Sequence, residues 1–463
     1  MSELSDKLRR QRRDPDRKEP LQPELPKAER QRGAPEWLRR QLSSSSRIAS
    51  LSRAGQRANS ESAKQVDASS AALKTVGEPA DIVSVMTDLG ELAFRELRYP
   101  DSHQHGEWLL SEIDYACRDA LELLARDSAC ADLDLRKAIY LDIETTGLSG
   151  GAGTISFMVA LGTFEAGEFR LWQGFLRSPA EEAALLFEIA LRVADADAVV
   201  SFFGKSFDRH RLEDKMKLHG IEPPFDDKPH LDLYWPLQRL YGRSFGNGRL
   251  STMETELTGV ARQDDLPGSF APEAWFDYLA GRAHRLEDVF RHNRDDVLSL
   301  VVLAAHAGRS LVGKRENGQG LSGPDGTRAA GLGRLFAAER KSERAIEWCD
   351  RAFEAGGVPE PSSLRLIRAD SYLRMGDLER ARSEWTALTD LKGVGSGCPE
   401  AAGTAALALA KLFEHRLRDL EAALAACAEI REIATGRLTG TARQRLLRGL
   451  NRREERLRAK RAK

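Results

Sequence analysis

The spacing of apolar positions changes several times along the chain, and each change marks a different kind of element. Short apolar runs at Ala138–Leu141, Thr154–Leu161, Glu168–Phe175 and Ala198–Phe203 predict buried strands. Between and after them, Glu181–Arg192, Ser206–His219 and Leu286–Ala305 carry apolar residues at helical spacing. Strands alternating with helices over residues 138–308 predict an α/β domain, a mixed sheet flanked by helices. Upstream, Ile113, Ala116, Ala120 and Leu123 recur at helical spacing, so residues 76–137 read as a helical lead-in. Residues 309–328 are Gly-rich and read as a linker.

Beyond it the pattern is helical and repeats. Gly333, Phe336, Ala345 and Ala352 are echoed by Ala369, Tyr372, Ala381 and Leu388, then by Ala410, Phe413 and Ala422. Residues 329–435 are therefore expected to form an all-α domain of tetratricopeptide-like repeats, in which small residues let paired helices approach closely. Residues 436–463 form a basic tail, and residues 1–75, rich in Arg, Ser, Pro and Gln, read as a disordered basic arm.

Composition adds an asymmetry. The net charge of −1 conceals about +7 over residues 1–60 and about +9 over residues 431–463, leaving the centre strongly acidic. A uniformly basic nucleic-acid coat is excluded; local grip on phosphates is not. The five cysteines form no CxxC pair, so neither a zinc ribbon nor a disulfide framework is expected. No uncharged apolar run reaches membrane-spanning length, and a reduced, cytoplasmic protein is the expectation.

Candidate chemistry lies in three places. Asp142 and Glu144 end the first strand two residues apart, so both carboxylates face one side of the sheet. Two such charges repel unless a cation lies between them, and carboxylate oxygens suit Mg²⁺ or Mn²⁺. Asp208 opens a helix after the turn Phe203-Gly204-Lys205-Ser206; this Gly-Lys-Ser is no phosphate loop, because residue 199 is Val where a Gly is needed. His292 and Asp296 lie four apart on one helix face, with Asp296 at the edge of the apolar stripe Val289, Val297, Leu300 and Asp295 on the solvated side.

Together the motifs LDIETTGL (141–148), FFGKSFD (202–208), LDLYWPLQRLYG (231–242), LSTMETELTGVARQDDLPG (250–268) and HNRDDVLSL (292–300) resemble the DEDD exonucleases of the ribonuclease H-like superfamily, closest to the YprB-like subgroup. The resemblance implies a metal-dependent 3′–5′ exonuclease acting on the 3′ end of DNA or RNA. Asp142, Glu144, Asp208 and Asp296 would bind two Mg²⁺ or Mn²⁺ ions, and His292 would be the general base. Two positions depart from the pattern: His292 precedes Asp296 by four residues where relatives with a His base have five, and Phe203 stands where relatives carry Asn.

Other residues carry lesser expectations. Asp232 reads as a strand-end or cap residue; Lys205, Arg243, Arg249 and Arg262 as surface charges available to phosphates; Trp172, Trp235 and Trp275 as core, with stacking of one of them on a base at the 3′ end as the alternative. A rival reading is a catalytically weak nucleic-acid-binding scaffold that recruits a protein partner through its repeats.

Overall fold

The computed structural model describes residues 77–147, 154–242, 244–263, 265–389, 398–436 and 438–462. The expected basic arm, Leu148 of the first motif and Arg243 lie outside them.

The strands are β1 (Val83–Thr87), β2 (Gly90–Pro100), β3 (Gln104–His105), β4 (Trp108–Leu109), β5 (Ala138–Thr145), β6 (Ser156–Glu165), β7 (Glu168–Phe175), β8 (Ala198–Ser201) and β9 (His230–Asp232). Seven of them form one sheet in the order β1-β2-β7-β6-β5-β8-β9. β5 is antiparallel to β6 and parallel to β8, so the sheet is mixed.

The flanking helices are α1 (Arg118–Ala125), α2 (Glu182–Asp195), α3 (Asp208–Leu218), α4 (Tyr234–Tyr241), α5 (Leu250–Thr258), α6 (Ala271–Leu279) and α7 (Leu286–Gly308). The pleat of β5 sorts its residues by parity. Ala138 and Tyr140 enter one core with Val297, Val301 and Ala304 of α7, whereas Ile139, Leu141 and Ile143 enter the other with Ile189 of α2 and Trp275 of α6. Asp142 and Glu144 continue the first face, beside α7.

The lead-in corrects the expectation of a helical segment. Residues 83–100 form a hairpin whose second strand pairs with β7 from Ala93↔Phe175 to Pro100↔Glu168. The local signal was a β-branched stretch, Val83–Thr87, followed by a turn into Gly90, and pairing with a strand some 70 residues later fixes it. Among the described residues of this segment, 77–137, only Arg118–Ala125 is α-helical.

The Gly-rich segment is also not a free linker. Arg315 is buried, pairs with Glu112 and lies 4.7 Å above the Trp108 ring, while Leu321 packs into the core. A cation buried with its partner and an aromatic face anchors this loop, which the count of glycines conceals.

The all-helical region comprises α8 (Asp325–Ala338), α9 (Ser342–Ala355), α10 (Pro361–Met375), α11 (Leu378–Thr389), α12 (Pro399–Leu412), α13 (Leu420–Gly436) and α14 (Gly440–Arg461). α8 and α9 share the core of the sheet and α7 through Ala330, Leu335, Phe336, Trp348 and Ala352. From Ala369 onward a separate core forms around Trp385, Ala410, Ile430 and Leu457. In the third unit Ala423, rather than the expected Ala422, is fully buried, after a π-helical turn at Phe413–Leu417.

The basic tail is an ordered helix. Leu450 and Leu457 are buried, and Arg453, Arg456 and Lys460 converge on the fully buried carboxylate of Glu414 at 2.6–2.9 Å.

Candidate active site

Asp142 and Glu144 emerge where β5 outruns its pairing with β8, which ends at Tyr140↔Val200. Opposite them α7 presents Asn293 and Asp296, three residues apart and so on one helix face. The Asn293 amide donates to Asp142 Oδ2 at 2.6 Å. Gln173 Nε2 donates to Asn293 Oδ1 at 3.2 Å and to the Phe290 carbonyl at 2.8 Å. With its oxygen thus occupied, Asn293 has only its amino group to offer Asp142. Sequence reasoning missed both amides; their burial at 0% exposure follows from β7 facing α7, which no local period reveals.

Asp208 arrives from the other side. After β8 the chain turns at Phe203-Gly204 and opens α3 with Asp208 in its first turn. Asp232, at the end of β9, holds this turn by accepting from the backbone N–H groups of Phe203 (2.7 Å), Lys205 (3.2 Å) and Tyr234 (3.1 Å). Its role is to organise the backbone, in line with the strand-end reading. Gly204 is required for a steric reason: a Cβ there would lie 2.7 Å from Asp208 Oδ2 and 2.6 Å from Ser201 Oγ.

The carboxylates act on one another. Burial raises the proton affinity of Asp142, and Asp296 raises it further. Burial and the charge of Asp142 do the same to Glu144, and burial, Asp142 and Asp232 to Asp208. Such mutual repulsion in a buried place is the condition that bound cations relieve. Glu144, His292 and Asp296 offer ligand atoms that all lie within 4.8 Å of one another. Asp142 and Asp208, the other two expected ligands, fall outside this close group; the carboxylate oxygens fit Mg²⁺ or Mn²⁺, whereas the imidazole is not a donor that Mg²⁺ favours.

His292 lies among acids. Its Nδ1 is 2.8 Å from Asp265 Oδ1, and its Nε2 is 3.5 Å from Asp296 Oδ2 and 3.9 Å from Glu144 Oε1. Burial opposes its charge, but Asp296, Asp265 and Glu144 outweigh burial and hold the imidazole up to about 10. Nδ1 donates to Asp265, since an ionised carboxylate only accepts.

Arg262, read as a surface charge, is instead buried at the heart of the site. It pairs with Asp296 and, at 2.7 Å, with Glu254 Oε2. Glu254 in turn accepts from Ser299, which meets His105 at 2.8 Å. Two further expectations change. Asp295 is half-buried and paired with Arg294 at 2.7 Å, and Trp235 is 46% exposed although Trp172 and Trp275 are core.

A mixed sheet crossed by a long helix, with acids at the strand ends facing acids on the helix, defines a ribonuclease H-like domain. Residues 139–307 match the RNase_H superfamily model. The chain is also similar to YprB of Bacillus subtilis (strain 168), described as uncharacterised. That likeness is 28% identity over 337 residues, covering 71% of this chain and 78% of YprB. The superfamily points to a nucleic-acid hydrolase. Among the described residues, no helix is long and apolar enough to cross a membrane.

Proposed function

We propose that this chain is a divalent-metal-dependent 3′–5′ exonuclease acting on a single-stranded or frayed 3′ end of nucleic acid. The observation that carries the reading is that Asp142 and Glu144 at the end of β5, Asp208 at the start of α3 and Asp296 on α7 act electrostatically on one another in a buried place, where three of them have raised proton affinity. Those four residues would hold two Mg²⁺ or Mn²⁺ ions, which when bound polarise a water and stabilise the departing oxygen. Asn293 orients Asp142, and the Gly204 turn orients Asp208. His292, its Nδ1 held by Asp265, turns Nε2 towards Glu144 and Asp296, whose charges keep the ring protonated; cations neutralising those carboxylates would release that proton and leave Nε2 free to accept one from the attacking water.

The test is cleavage of 5′-labelled single-stranded and duplex DNA and RNA with Mn²⁺, run beside Asp142→Asn. A ladder shortening from the 3′ end and absent in the variant is the expected result; equal cleavage by the variant refutes the assignment.

A second reading, a catalytically weak nucleic-acid-binding scaffold that recruits partners through its helices, draws on Arg262, which already supplies a cation to Asp296 and Glu254. Mn²⁺ titration separates the two. Binding to the native state stabilises it by about 2.7 kcal/mol at a hundredfold excess over Kd, so a carboxylate metal site raises the melting temperature and a filled ion-pair site does not.

A further inference from the structure

The turn that sets Asp208 carries an unusual pair of features. Phe203 has a left-handed backbone (φ +61°), a conformation that Asn and Gly adopt readily and a bulky aromatic residue rarely does. Its side chain is also 43% exposed, so burial of the ring does not offset that strain. Strain of this kind persists where something besides the fold requires the residue.

Phe203 is not alone. Its ring lies 5.0 Å from Tyr234 and 6.5 Å from Trp235, which is 46% exposed, and Tyr234 and Trp235 meet edge to face at 5.0 Å. Asp232 ties the halves of this cluster together, accepting from the N–H groups of both Phe203 and Tyr234. One residue beyond Phe203, Gly204 faces the carboxylate of Asp208, which a Cβ there would meet at 2.7 Å. The exposed rings are therefore joined to the carboxylate cluster, and Lys205, 45% exposed and paired with Asp127 at 3.1 Å, lies on the same turn.

We propose that Phe203, Tyr234 and Trp235 form a stacking platform for the bases of single-stranded nucleic acid entering the site. The proposal rests on the nuclease reading for its direction, and it adds the specificity element: unpaired bases. Every base has a π face, so such a platform accepts any sequence and excludes a duplex, whose bases are already stacked. The occupant is fixed by chemistry. Planar apolar faces beside an exposed lysine, which a phosphate would draw from its pairing with Asp127, match a nucleotide, which carries a planar base and an anion one sugar apart.

The test measures binding without turnover, in EDTA, with fluorescent eight-nucleotide single strands of DNA and RNA, a hairpin duplex, and single strands carrying two abasic 3′ nucleotides. Phe203→Asn keeps a residue suited to the left-handed backbone, and Trp235→Ala removes an exposed side chain, so both variants should fold; melting curves check this. Each ring removed should weaken single-strand binding by roughly five- to a hundredfold and leave duplex binding unchanged. The abasic penalty seen with the wild type should vanish in the double variant. Unchanged single-strand affinity in both folded variants, or an abasic penalty that survives the double substitution, overturns the platform. Because cleavage is not read, loss of the nuclease assignment would leave these binding results intact, and failure of the platform would leave cleavage in Mn²⁺ intact.

Discussion

A methyl group added at Gly204 has no free space. The new Cβ would lie 2.6 Å from Ser201 Oγ, 2.7 Å from Ser201 Cβ and 2.7 Å from Asp208 Oδ2. Non-bonded atoms prefer roughly 3.5 Å or more, so something must retreat by about 0.8–0.9 Å. Ser201 cannot swing away, because its hydroxyl is held at 2.7 Å by His230 Nε2 in a fully buried setting. The contacts with Ser201 can therefore be relieved only by a shift of the turn itself, against the hold of Asp232, and the contact with Asp208 by retreat of its carboxylate; both displace Asp208. Catalytic groups tolerate about 0.5 Å of misplacement, and about 1 Å costs on the order of a hundredfold in rate. Gly204→Ala is therefore expected to lower kcat for Mn²⁺-dependent cleavage roughly 10- to 100-fold, while overpacking costs about 1–3 kcal/mol of stability. The assay pairs single-turnover cleavage with urea melts. Wild-type kcat in a folded Gly204→Ala protein would show that this turn does not position Asp208, and the site as drawn would fail.

Three further outcomes follow from the same geometry. Asp142 is pushed up to about 8, mainly by burial and then by Asp296, so the folded protein holds its proton where the unfolded chain has released it. Stability of the metal-free protein should then fall as pH rises from about 4 to 8, by an amount on the order of a few kcal/mol, and Asp142→Asn should flatten that slope in urea melts with EDTA. Glu414 is held down to about 2, chiefly by its bond from Arg456 and then by Lys460. Its contribution is present above about 4.5 and lost as pH falls towards 2, and Glu414→Gln should speed amide exchange in α14, with about 1–3 kcal/mol lost at neutral pH. Asp232→Ala should cost about 1–3 kcal/mol by leaving three N–H groups without their acceptor, with circular dichroism melts as the measure, and a neutral effect would mean water replaces the carboxylate.

The strands and helices around the site were legible because each is amphipathic or wholly apolar over its own length. Asp296 could be told from Asp295 by its place beside Val289 and Leu300, and the structure buries Asp296 in the cluster. What escaped was whatever depends on a distant partner. The hairpin β1–β2 owes its place to β7, and Asn293 owes its role to Asp142, 151 residues away. Arg262 was misread because a lone Arg on a loop is ordinarily solvated; only the fold brings Glu254 and Asp296 around it. The glycines of 309–328 suggested slack, whereas Arg315 makes that loop an anchor.

The separation between Asp142 and Asn293 also has a consequence in time. A ribosome adding about 5–20 residues per second needs roughly 8–30 s to travel the 151 positions between them. Through that interval the nascent chain already carries Asp142 and Glu144, and later Asp208, but neither Asn293 nor Asp296. β5 meanwhile lacks the helix that covers its face. The cluster is completed only when α7 emerges, so a chain interrupted before residue 293 has three of the four acids and no closed site to hold them.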